Sequence, residues 1–69
     1  MTRDHVITAK REGVPFEINM ADGKTYRVFD SEHIFVGKNT VIVMDDKDCP
    51  HILPLLTMTE ISYLHKNGA

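Results

Sequence analysis

An Asp-Gly pair at positions 22 and 23 separates two short runs in which apolar and polar residues alternate. The first run covers residues 16–20 and the second covers residues 25–29. Such alternation is typical of a half-buried strand, and Asp-Gly between two alternating runs is the strongest short-range signal for a β-hairpin. The pair therefore predicts an antiparallel hairpin, and it restricts which face of the resulting sheet can be buried.

The length of the hairpin loop decides which residues pair. A loop of only Asp22 and Gly23 places Ile18 opposite Arg27 and mixes apolar and charged side chains on both faces. A loop that also includes Ala21, with a left-handed bulge at its glycine, separates apolar from polar side chains, because a one-residue slip exchanges the faces. We therefore predict the three-residue loop. The predicted pairs are Phe16–Val28, Glu17–Arg27, Ile18–Tyr26 and Asn19–Thr25.

Residues 3–12 form the only segment that is typical of a helix. Thr2 or Asp4 can cap its start, and Gly13 with Pro15 just after it supplies the stop signal. The run Val6-Ile7-Thr8 inside this segment is also compatible with a β-strand.

The remaining strands are short and are separated by turns. They are predicted at residues 34–36, 41–44, 51–53 and 58–63, with a tight turn at residues 55–57. The first two of these strands are apolar at successive positions, which predicts that both of their faces are covered. Pro54 interrupts pairing, so the strand before it is expected to lie at an edge or to bend.

Five or six short strands within 69 residues are typical of a small closed barrel, because a flat sheet would leave long edges exposed. We predict a mainly all-β fold, a five-stranded SH3-like or Sm-like barrel with a short N-terminal helix. It forms a single domain over residues 1–69, with its strands within residues 15–64. The predicted core consists of Phe16, Ile18, Tyr26, Val28, Phe35, Ile42, Ile52, Leu56 and Ile61.

Small size and charge restrict the classes of partner. A chain this short buries roughly 60% of its unfolded surface, and its single cysteine, Cys49, excludes an intrachain disulfide. Self-association is therefore the most accessible way for this chain to compensate for its small core. The net charge of −2 argues against generic binding to a phosphate backbone.

No apolar run reaches about 18 residues and no signal peptide is visible, so we expect a cytoplasmic protein that does not bind membranes.

Residues 45–51 form the densest polar cluster, with the sequence Asp-Asp-Lys-Asp-Cys-Pro-His. A calcium loop needs a central glycine and a later glutamate, and a zinc site needs about four ligands. Neither set is complete here, and His51 is not placed as a base for a Cys49 nucleophile. We interpret the segment as an acidic turn with a bystander cysteine. We therefore expect no catalytic residue, no metal and no cofactor.

Two features could form an interaction surface. Phe29 either stacks on a base or a partner ring, or it closes the end of the barrel, and we favour the closing role. The run from Leu53 to Leu56, with Met58, either lines an edge for self-association or fills the barrel, and we favour the filling role. The candidate interaction residues are Phe29, His33, Lys38, Leu53, Leu55 and Met58.

The segment Phe29-Asp-Ser-Glu-His-Ile-Phe-Val36, followed by Lys38-Asn39-Thr40, resembles the middle of the bacterial Sm-like RNA chaperones. The resemblance implies a small barrel and ring-like self-association. The strand between Gly23 and Phe29 is several residues shorter than in Sm proteins, and the Lys-His pair of the chaperones' second motif is missing. His33 and Ile34 stand where Sm proteins carry the asparagine of their base-binding loop, so the RNA contacts of that family do not carry over.

A second resemblance covers most of the chain, from about Asp4 to Ile61. A brief helix, then Pro-Phe-x-Ile-x-x-x-Asp-Gly and Tyr-x-Val, and a late segment Ile52-Leu-Pro-Leu-Leu-Thr-Met-Thr-Glu-Ile61 are similar to a group of short uncharacterised bacterial proteins with a small barrel. This resemblance implies a fold and no activity.

The sequence thus favours a non-catalytic interaction module that associates with itself or docks on another protein. The alternative is an Sm-like protein that binds single-stranded RNA. A third hypothesis, an enzyme or metal protein built on Asp46, Cys49 and His51, has the least support.

Overall fold

A computed structural model describes residues 2–64 of the chain. Within this range the chain forms one helix, six strands and two short 3₁₀ turns. The elements are α1 (Arg3–Glu12), β1 (Phe16–Met20), β2 (Thr25–Val28), β3 (Ile34–Val36), β4 (Thr40–Met44), β5 (Pro50–Pro54) and β6 (Met58–Tyr63), with 3₁₀ turns at Ser31–His33 and Leu55–Thr57.

The strands form two antiparallel sheets of three strands each. The first sheet has the order β2-β1-β6 and the second has the order β3-β4-β5. The prediction of a mainly β chain with one short N-terminal helix is confirmed. The closed barrel is wrong, because no ladder among the described residues joins one sheet to the other. The count of five strands is not confirmed, since these residues form six paired strands.

The first hairpin has the predicted register and the predicted loop. Glu17 lies opposite Arg27 and Ile18 lies opposite Tyr26. The amide of Met20 donates to the carbonyl of Lys24 at 2.8 Å, and this pair closes a three-residue loop. Gly23 has φ 90°, a left-handed conformation that a residue with a Cβ rarely adopts. Separation of apolar from polar residues therefore selected the pairing correctly.

Helix α1 begins and ends where its sequence signals predict. Gly13 adopts φ 72° and its amide donates to the carbonyl of Lys10 at 3.3 Å, which ends the helix. Thr2 is the N-cap, but its hydroxyl contacts Nδ1 of His5 at 2.8 Å and caps no backbone amide. Val6 and Ala9 lie one turn apart and are buried in the core. The helix thus covers the core with one narrow apolar stripe.

The second sheet buries only one of its faces, which corrects the prediction that both are covered. Ile34, Val41, Val43 and Leu53 point inward and are at most 4% exposed. Their neighbours in sequence point outward because successive strand residues alternate between faces. Strand β5 lies at the edge of this sheet, as Pro54 predicts.

The predicted core is therefore right in the first sheet and wrong in the second. Phe16, Ile18 and Val28 are fully buried, and Tyr26 and Ile61 are partly buried against the core. Phe35, Ile52 and Leu56 are instead exposed, and Ile42 is half-buried. The observed core consists of Val6, Ala9, Phe16, Ile18, Met20, Val28, Ile34, Val41, Val43, Leu53, Leu55 and Met58. Between residues 2 and 64, the helix is too short and too polar to cross a bilayer.

Candidate interaction surfaces

The outward face of the second sheet carries a row of three apolar side chains. Phe35 of β3 lies opposite Ile42 of β4, and Ile42 lies opposite Ile52 of β5, so the three cross the sheet at one level. Phe35 is 50% exposed and Ile52 is 69% exposed. The next pair on this face is Thr40 with Pro54. We call Phe35, Ile42 and Ile52 the apolar row, and it has no charged residue among its positions.

A groove of about 490 Å³ opens between the two sheets, alongside β2 and at the end of β4. It is the second candidate surface, and we call it the inter-sheet groove. Aromatic, acidic and basic side chains meet there, a combination that fits a polar ligand with an apolar body better than a purely apolar one. Its lining residues are Thr25, Tyr26, Arg27, Phe29, His33, Val43, Met44, Asp45, Asp46 and His51.

Asp45 organises the turn at one side of the inter-sheet groove. Its Oδ1 accepts the backbone amides of Lys47 and Cys49, both at 2.9 Å, and its Oδ2 lies 3.0 Å from Nε2 of His51. Asp48 completes the turn with φ 63°. The hydrogen bond from His51, followed by the amide of Cys49, lowers the pKa of Asp45 to about 2. Asp45 is therefore ionised at neutral pH and serves the turn.

His51 joins this turn to the first sheet. Because the Asp45 carboxylate accepts, the proton of the imidazole lies on Nε2. The imidazole ring also packs on the ring of Tyr26, with centroids 5.2 Å apart and planes inclined by 50°. This contact couples β5 with β2 across the gap between the sheets and forms part of the groove.

Of the predicted interaction residues, the structure places three on the surface. Phe29 is 65% exposed and lines the inter-sheet groove together with His33, which is also exposed. Lys38 is exposed in the turn before β4, where it lines a separate depression with Arg3 and Leu56. The structure therefore brings Phe29 and His33 together and leaves Lys38 apart from their groove.

The other three predicted interaction residues are core residues. Leu53 is 4% exposed, Leu55 is 8% exposed and Met58 is 2% exposed. These side chains fill the interior, the alternative that the sequence favoured. Within that run only Leu56, at 93% exposure, presents a large apolar side chain to solvent.

Sequence reasoning missed the apolar row because it assigned all three residues to the core. Thr40 offered a weak signal that this face of β4 meets solvent. It is the polar residue of the strand and lies two positions before Ile42, so both side chains point to the same face. The contact between Asp45 and His51 was also missed. The only sequence signal for this contact was an aspartate at the start of a turn with a histidine six residues later.

The described residues hold no arrangement that marks a metal centre. Among residues 2–64, no group of three or more His, Cys, Asp or Glu side chains is placed to share an ion. Cys49 is exposed, and its Sγ lies 3.8 Å from the carbonyl of Lys47. The cysteine side chain thus contacts the backbone of its own turn.

Comparisons with protein-family models, with curated proteins and with solved structures find no match to this chain.

Proposed function

We propose that this protein is a non-catalytic interaction module that associates with a second copy of itself through the outward face of the second sheet. The observation that carries the proposal is the apolar row, in which Phe35, Ile42 and Ile52 lie side by side on a solvent-facing sheet surface. Antiparallel sheets with one solvated face normally alternate apolar and polar residues. Contiguous exposed apolar side chains are typical of a surface that contacts another protein.

The order of residues in the row suits a two-fold interface. A two-fold axis at the central Ile42 places Phe35 of one copy over the partner's Ile52, and the reverse. A large ring then meets a branched aliphatic side chain at each end of the row. The row and its neighbours Thr40 and Pro54 are uncharged, while the ammonium of Lys10 lies 5.8 Å from the centroid of the Phe35 ring, so each end of the interface also includes one lysine.

The exposed areas predict a weak and reversible dimer. Full burial of a Phe or Ile side chain is worth about 1.5–3 kcal/mol. Phe35 and Ile52 are 50% and 69% exposed, so covering both in two copies contributes about 4–7 kcal/mol. Association costs at least about 4 kcal/mol in lost freedom of motion. The gain from burial exceeds this cost by at most about 3 kcal/mol, and Ile42 and its neighbours add little, so we expect a dissociation constant of several millimolar or weaker.

Sedimentation equilibrium and a dilution series followed by amide NMR test this proposal. Between about 0.05 and about 2 mM, the average mass of the natural protein should rise and amides of β3, β4 and β5 should shift. Ile52→Lys should stay monomeric throughout, because it places a charge in the row. Val14→Lys is the matched control, since Val14 is 41% exposed outside this sheet, and it should behave like the natural protein. A natural protein that stays monomeric at the highest concentration contradicts the proposal.

Binding of single-stranded RNA is the alternative that the sequence raised. Phe29 and His33 line the inter-sheet groove, as a stacking site requires, but Asp45 and Asp46 line the same groove. Two carboxylates beside the aromatic ring repel a phosphate backbone, so self-association has the better support. A fluorescence titration with A-rich and U-rich oligonucleotides at two salt concentrations tests the alternative, which requires affinity that falls as salt rises.

A further inference from the structure

The inter-sheet groove shares no residue with the apolar row that we assign to self-association, and it has a distinct charge, although Met44 of its lining follows Ile42 on the same face of β4. Among the described residues that line it, Arg27 is the one that is permanently cationic, and Nε of Arg27 lies 3.1 Å from Oε2 of Glu17. That ion pair offsets the positive charge of Arg27 at the groove. Asp45 and Asp46 then give the groove a net negative charge from its Asp and Arg side chains. The charge favours a cation over an anion.

Aromatic rings meet these carboxylates in the same groove. Phe29, at 65% exposure, has an accessible ring, and the partly buried Tyr26 ring lines the groove beside the imidazole of His51. The face of an aromatic ring attracts a cation, most strongly where part of the hydration shell is removed. Met44 adds a polarisable thioether side chain to the lining. The groove therefore offers carboxylates and ring faces to the charge of a cation, and apolar side chains to its carbon body.

We propose that the inter-sheet groove binds organic cations of the alkylammonium class, through the rings of Phe29 and Tyr26 and the carboxylate of Asp46. The Asp45 carboxylate contributes charge, while its oxygens remain engaged by the turn amides and by His51. The groove volume of about 490 Å³ exceeds what a single methylated ammonium group needs, so it also accommodates the carbon chain that carries such a group.

A titration of the natural protein with tetramethylammonium chloride, followed by NMR, tests the proposal. The experiment uses dilute protein, so that self-association does not contribute. We expect saturable shifts of the Phe29 and Tyr26 ring signals, and of the amides of Asp45 and Asp46. Two matched probes accompany it: tert-butanol, which has similar size and no charge, and inorganic phosphate, which is an anion. Both should bind more weakly than the cation.

Two variants locate the site without disturbing the core. Phe29→Leu keeps an apolar side chain but removes the ring, and Asp46→Asn removes one charge. Each should weaken tetramethylammonium binding by roughly 2- to 5-fold. Leu56→Ala is the control, because Leu56 is 93% exposed and lies outside the groove. Amide spectra of all three variants should retain the dispersion of the natural protein.

Three outcomes would overturn the assignment. Linear, unsaturable shifts would show that the cation does not bind, and equal binding of tert-butanol would show that charge is irrelevant. Tighter binding of phosphate than of tetramethylammonium would assign the groove to anions and would support the RNA alternative instead.

Discussion

Two adjacent substitutions that introduce the same side chain can test which residues of strand β5 face the core. Leu53 is 4% exposed and Ile52 is 69% exposed. We propose Leu53→Thr and Ile52→Thr, since threonine retains good β-propensity and isolates the effect of burial. If the structure places these residues correctly, the two variants should differ widely in stability although the altered positions are neighbours.

The burial of each side chain sets the expected magnitude. Truncation of a buried leucine costs about 2–5 kcal/mol, and an unsatisfied buried hydroxyl adds to this loss, so Leu53→Thr should cost at least about 3 kcal/mol. Ile52 buries only about a third of its side chain, so Ile52→Thr should cost roughly 0.5–1 kcal/mol. A domain of this size is stable by about 3–10 kcal/mol, so Leu53→Thr should remove roughly a third or more of that stability.

Urea unfolding followed by far-ultraviolet circular dichroism measures both losses, because the chain has no tryptophan to serve as a fluorescent probe. The protein should be dilute enough to be monomeric. Equal losses, or a larger loss for Ile52→Thr, would show that β5 presents the opposite face to the core, and the apolar row would not exist.

Three further predictions concern the turns and the surface. Gly23→Ala should lower the free energy of unfolding by about 1–2 kcal/mol through the left-handed backbone alone, and a thermal melt measures this; no loss would exclude the bulge. The folded-state pKa of Asp45 lies at about 2, below its ordinary value of 3.8, so Asp45 contributes stability above about pH 4 that is lost as the pH falls towards 2. Urea midpoints across this range should fall less for Asp45→Asn, and parallel profiles would contradict the assignment. The exposed Glu17–Arg27 pair should contribute less than about 0.5 kcal/mol, and Glu17→Gln should lose its effect at high salt.

The first hairpin could be predicted to the residue because its two faces differ in chemistry. In only one register do Glu17 and Arg27 share one face of the hairpin while the apolar side chains share the other. Those apolar residues are Phe16, Ile18 and Val28. The turn agreed with that register, since Gly23 can adopt the positive φ that the three-residue loop requires. Local turn chemistry and the apolar pattern thus pointed to one structure.

The second sheet could not be predicted in this way, because its strands carry apolar residues on both faces. Ile34, Phe35 and Val36 follow one another in β3, so alternation gives no direction there. The choice is made by tertiary packing against α1 and the first sheet, which the local sequence does not contain. The Asp45–His51 contact was hidden for another reason, because it lies across a turn whose backbone includes a positive φ at Asp48.

Strand β6 pairs with β1, so the central strand of the first sheet depends on the last strand of the described chain. Asn19 lies opposite Glu60, 41 residues later, and Ile18 lies opposite Ile61, which packs against the core. Closing so long a loop is entropically costly, and folds dominated by distant pairings form slowly. During synthesis, the first hairpin would wait with its apolar face open until β6 emerges from the ribosome. Until that point the first sheet lacks its third strand.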